Sequence, residues 1–154
     1  MASNGNPALA QIGRALGSLF STKLDTRQEV LIQALFGLLG GMARADGVVS
    51  AEEARYTNGL MDEMQLGTNA RKLAAEAFDR GCRRDYDIEG EMLRLLSTYA
   101  RGSSEIDRIY ENLIRLAAAD HTIRRGERSF LEKMTLGLGF EPEELDRRLK
   151  KVMH

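Results

Sequence analysis

One segment constrains the fold more than any other: "RQEVLIQALFGLLGGMARA", Arg27 to Ala45. Its apolar residues are spaced as in a helix but cover most of the circumference rather than one stripe. A helix apolar all round has no face to give to water, so it has to run through the middle of the molecule. Gly37, Gly40 and Gly41 stand inside it, and each costs roughly 1 kcal/mol relative to Ala in a helix interior. Another helix crossing close to the backbone is the best reason for keeping them. Asp25 is placed to cap the segment at its start.

The rest of the chain wraps this axis with more helices. Pro7 to Phe20 puts Leu9, Ile12, Leu16 and Leu19 on one face, and a third helix runs from Ser50 to about Gln65 with Tyr56, Leu60 and Met64 four apart. "GTNARKLAAEAFDRG" reads as a fourth, capped by Thr68 and stopped by Gly81. "DIEGEMLRLLSTYA" is a fifth, and "SSEIDRIYENLIRLAAAD" a sixth, with Ser104 and Asp107 spaced as a capping box. "GERSFLEKMTLGLGF" and "PEELDRRLKKVM" complete the series. The only prolines, Pro7 and Pro142, fall where helices can begin, and no segment alternates with period two. The expected fold is all-α, a compact multi-helix bundle of seven to eight helices with short connections. We divide it into an N-terminal amphipathic segment, 1–24, and a helical domain, 25–154.

Composition excludes more than it assigns. A formal net charge of -1 gives no long-range attraction to nucleic acid. With Cys82 as the only cysteine there is no intrachain disulfide, and no apolar run reaches the roughly 18 residues of a membrane span. The start "MASNGNPALAQIG" lacks the features of a secretory signal. A cytoplasmic protein is expected, at most peripheral to a membrane.

An internal repeat carries the chemistry. Shifted by 74 positions, "ARADGVVSAEEARYTNGLMDEMQL" falls on "AAADHTIRRGERSFLEKMTLGLGF" without a gap. Asp46 meets Asp120 and Glu53 meets Glu127, while Tyr56 meets Phe130, Leu60 meets Met134 and Met64 meets Leu138. Each copy is a helix–corner–helix unit with an Asp ending one helix and a Glu in the first turn of the next. The Glu suits a helix N-terminus, whereas the Asp faces the partial negative charge of a C-terminus and needs compensation. If the corners meet, four carboxylates gather, and two of them 4 Å apart repel by about 4 kcal/mol at an effective dielectric of 20. A hard cation, Ca²⁺, Mg²⁺ or Mn²⁺, would relieve that with oxygen ligands alone. The pattern is not an EF-hand, which needs further ligands and a Glu at its twelfth position. The competing reading is a turn and a cap: Ser50 with Glu53 has capping-box spacing, though Arg124 stands in the place of Ser50 in the second unit.

The blocks "LLGGMARADGVVSAEEARYTNGLMDEMQL", "AFDRGCRRDYDIEGEML" and "NLIRLAAADHTIRRGERSFLEKMTLGLGF" together resemble the TerB-like family. That family takes in a tellurite-resistance protein and the N-terminal domain of the membrane-anchored, DnaJ-like co-chaperone DjlA. The likeness runs from about Gln28 to Phe140. It implies an all-helical, pseudo-symmetric domain with a divalent-cation site at the corners, here Asp46, Glu53, Asp120 and Glu127, with Glu52 as a substitute for Glu53. It also implies a stress-related or membrane-associated interaction role with protein partners. The sequence holds no His-Pro-Asp tripeptide of a J-domain, so stimulation of an Hsp70 ATPase is not implied. His121 replaces the Gly47 of the first unit.

Other candidates read blandly. The acidic run Asp85, Asp87, Glu89 and Glu91 is expected to be solvated charge at a helix start, with Tyr86 and Ile88 turned inward. The first helix has only Gln11, Arg14 and Ser18 on its polar face, too few cations for a membrane surface, and is expected to pack on the domain. Cys82 beside Arg83 and Arg84 lacks a paired base, with only His121 and His154 in the chain. No phosphate loop and no marked nucleophile occur, so no enzyme is expected.

Overall fold

The computed structural model describes residues 7–21, 23–45, 47, 51–119 and 122–153, with the backbone alone of Pro7, Glu52 and Glu53. Among them are eight helices and no strand: α1 (Pro7–Gly17), α2 (Thr26–Arg44), α3 (Ala51–Glu63), α4 (Thr68–Gly81), α5 (Ile88–Thr98), α6 (Ser104–Ala117), α7 (Arg125–Gly137) and α8 (Glu143–Val152). This is the all-α bundle that the spacing predicts.

Helix α2 is the axis. Asp25 Oδ1 accepts the Gln28 N–H at 2.8 Å, and the Gln28 side chain accepts the Asp25 N–H at 3.3 Å, a closed capping box. From Ala34 to Met42 every residue is buried. Helix α4 lies across it, and α5 and α7 pack on its other sides. The glycines permit the crossing. A Cβ at Gly40 would fall inside contact distance of the Phe78 carbonyl oxygen, and one at Gly81 would collide with the Gly37 carbonyl. Two backbones therefore touch where side chains would ordinarily hold helices 8–10 Å apart. Helix α1 packs on α3 and α6, burying Ile12 and Leu16 in the common core. Helix α8 packs on α6 and α7.

The repeat is as regular in three dimensions as in sequence. Helices α3 and α7 have bounds 74 apart at both ends, 51–63 and 125–137. Both stop in the same way: Gln65 and Gly139 take left-handed backbone, φ 59° and 93°. The next N–H then reaches back five residues, Leu66 to the Met61 oxygen at 3.3 Å and Phe140 to the Thr135 oxygen at 3.0 Å. This is the Schellman closure, and Gln65 bears a left-handed strain of roughly 1 kcal/mol that Gly139 escapes.

Two caps differ from the sequence expectation. Helix α6 is capped by Ser103, whose hydroxyl accepts the Ile106 N–H at 3.3 Å, rather than by Ser104. Asp107, freed from a capping box, accepts from Arg148 at 2.7 Å. The N-cap of α4 is Gly67, and Thr68 is its first helical residue.

Helix α8 is held by Arg148, whose guanidinium donates to Glu144 at 2.8 Å, Glu111 at 3.0 Å and Asp107. It also lies over the Tyr110 and Phe140 rings, which stack with centroids 4.2 Å apart. Beneath them the buried Thr135 hydroxyl donates to the Leu131 carbonyl, and Tyr110 donates to Thr135 at 2.7 Å.

Candidate functional site

The corners begin where α2 and α6 end. Helix α2 closes with the Ala45 N–H on the Gly41 oxygen at 2.9 Å, and Gly47 turns the chain at φ +129°, a conformation that suits glycine. Of the four expected ligands, Asp46, Asp120 and the side chain of Glu53 lie outside the described residues, as do Glu52 as a side chain and His121. Glu127 is described. It is the third residue of α7, and its Oε1 accepts the Arg124 N–H at 3.1 Å. That is one half of a capping box, made although no hydroxyl precedes it. Among the described residues no three acidic, His or Cys side chains cluster as a metal would require.

The described flanks of the two corners do come together. Arg44 and Ala45 from the end of α2, and Arg125 and Gly126 from the start of α7, line one open groove of about 680 Å³. Its floor is apolar, with Gly41, Gly81, Ile88 and the buried Phe130, and its other walls carry Arg83, Tyr86, Ser129 and Lys133. Sequence reasoning did not assemble this groove, because its residues come from α2, α4, α5, α7 and the connection 82–87.

A second groove, about 610 Å³, shares Arg83 and Tyr86 with the first and is lined further by Arg80, Arg94 and Glu91. The acidic run divides here. Asp87 caps α5, accepting the Gly90 N–H at 3.0 Å, and Glu89 is exposed. Glu91 is not solvated charge: its side chain is 6% exposed. It lies in phase with Ile88, Met92 and Leu95, a signal that was readable from the helical spacing. The Tyr86 hydroxyl donates to Glu91 Oε1 at 3.5 Å, and Arg80 and Arg94 lie at 3.8 and 3.7 Å. Oε2 has no hydrogen-bond partner among the described residues. Gly37 makes room for the pair, since a Cβ there would sit 2.9 Å from the Tyr86 hydroxyl.

Burial pushes the Glu91 carboxyl above its ordinary value, and Arg80 and Arg94 offset this only in part. Burial and the Glu91 carboxylate likewise push the Tyr86 phenol up. A raised folded pKa means that this group's contribution to stability is present below the unfolded carboxylate value and lost as pH rises through the folded one. Once ionised, Glu91 is an underpaired charge within the fold. Glu91→Gln is expected to raise stability by about 1 kcal/mol at neutral pH, with the gain vanishing at about pH 4. Urea unfolding of both proteins at the two pH values checks this; a loss at neutral pH would mean that the arginines outweigh burial.

The family model for the tellurite resistance protein TerB matches residues 32–150. A co-chaperone protein DjlA of Vibrio parahaemolyticus is 36% identical over 124 residues, covering 80% of this chain and 44% of that protein. The DjlA of Mannheimia succiniciproducens is 30% identical over 146 residues, covering 94% and 50%. The DjlA of Shewanella oneidensis is 30% identical over 139 residues, covering 88% and 53%. The chain thus spans about half the length of these relatives, and no solved structure matches it significantly. With the repeat and both corners lying inside the matched span, which takes in most of the chain, the chain belongs to the TerB family.

Proposed function

We propose that this is a non-enzymatic interaction domain whose corners share a divalent cation, Ca²⁺, Mg²⁺ or Mn²⁺, through Asp46, Glu53, Asp120 and Glu127. The observation that supports the reading is the shared groove: the end of the first corner's leading helix and the start of the second corner's following helix line it together, so the described flanks of the two corners are neighbours. An all-oxygen set of four carboxylates suits a hard cation. The cation would neutralise the gathered charge and tie the two units together, fixing the surface between them for a protein partner in a stress-related or membrane-associated complex. Among the described residues no helix is long and apolar enough to cross a membrane. The DjlA relatives are named as co-chaperones, and a co-chaperone-like choice of partner is part of the proposal.

One observation favours a metal-independent adaptor as the second reading: Glu127 already serves as a cap. The two separate by thermal unfolding after chelation and after adding back each cation. Binding should stabilise by RT ln(1 + [L]/Kd), about 2.7 kcal/mol at a hundredfold excess over Kd, and Asp46→Asn/Asp120→Asn should abolish that increment with helical content intact. If no cation moves the wild-type midpoint, the corners are turn and cap only.

A further inference from the structure

We propose that the groove between the end of α2 and the first turns of α7 takes up an acidic segment of a protein partner. The inference rests on the interaction-domain reading and names its surface. Four cations line the groove, Arg44, Arg83, Arg125 and Lys133, and no described lining residue is acidic. Their side chains make no hydrogen bond or ion pair with any described residue, so no described carboxylate neutralises the charge gathered there. Gathering positive charge in one groove of a chain whose net charge is -1 costs self-repulsion that a complementary ligand relieves. An anion alone would need only the cations. The apolar floor of Gly41, Gly81, Ile88 and Phe130, with the Tyr86 ring, suits instead a peptide that alternates carboxylates with an aromatic or aliphatic anchor. The volume, about 680 Å³, is that of a pocket for a few residues. Electrostatic complementarity of this kind sets partner choice and encounter rate.

The test is fluorescence anisotropy with a short labelled peptide of Asp and Glu interspersed with Phe, at low salt, on the whole chain. The same peptide with Lys in place of the acids, inorganic phosphate, and vesicles with and without anionic lipid serve as competitors. The wild type is expected to bind the acidic peptide, less tightly as NaCl is added. Arg83→Glu/Lys133→Glu should weaken binding by about tenfold or more, while Lys72→Glu, on α4 away from the groove, should leave it unchanged. Both changes fall on exposed side chains, so the melting curves should match and a loss cannot be ascribed to unfolding. The inference is overturned if the wild type fails to bind, if the groove variant binds equally, if the Lys peptide binds as well, or if phosphate or anionic vesicles displace the peptide in a way that Phe removal from it does not alter. A chelator-sensitive midpoint with no peptide binding would leave the cation reading standing and remove only this one.

Discussion

Gly81→Ala is expected to cost about 2–3 kcal/mol, and Gly81→Val more, measured as the shift in urea midpoint at constant m-value. Most glycine-to-alanine changes in a helix are stabilising by a fraction of that. Here the added carbon meets backbone, the Gly37 carbonyl and the Gly41 amide nitrogen, and backbone cannot turn aside as a side chain does. The only relief is for α4 to lift off α2, which would open the packing of Ala74, Ala77 and Phe78 along the same contact. Gly59→Ala is the contrast. It sits within α3 with only the tip of Leu9 within 4 Å, and should be neutral or slightly stabilising. If both variants behaved alike, the close crossing would not be what keeps Gly81.

Arg148→Met should cost about 3 kcal/mol. Methionine keeps most of the stem that covers Tyr110 and Phe140, but it leaves Asp107 without its arginine, and Glu111 and Glu144 with only Arg115 and Arg147. Arg148 is only 15% exposed, so screening by water is incomplete. The loss should also depend on pH. Hydrogen bonding from Arg148 holds the Glu144 carboxyl below its ordinary value; a depressed folded pKa gives stability above the unfolded value that is lost as pH falls through the folded one. The gap between wild type and variant should therefore be widest at neutral pH and narrow in acid. A gap independent of pH would assign the effect to packing alone.

What the sequence disclosed depended on whether a feature is local. Helix periodicity, the Asp25 cap and the glycine-lined crossing were legible because each rests on residues a turn or two apart. The repeat was legible because identity of type at a fixed shift survives even where residues differ, and it extends to helix bounds 74 apart. Ser103 and Ser104 are equally good caps by composition, and the approach of Arg148 to Asp107 decides between them. Glu91 was hidden by its neighbours: within an acidic run a buried carboxylate reads as solvated unless the phase with Ile88, Met92 and Leu95 is followed. The cationic groove had no sequence signature, since its four basic residues are scattered over 90 positions, from 44 to 133. The acidic corners were the most visible feature of all, and of their four expected ligands Glu127 alone can be placed, as a cap.

The burial of α2 also bears on how the chain is made. Its apolar circumference is complete by residue 44, but α7, which covers one side, is not finished until residue 137, and 137 − 44 = 93 residues must still be added. At a synthesis rate of roughly 5–20 residues per second, that is on the order of 5–20 s. For that interval a nascent chain carries a greasy helix with only α4 and then α5 for cover. A domain related to co-chaperones is thus, during its own synthesis, the kind of polypeptide that general chaperones shield.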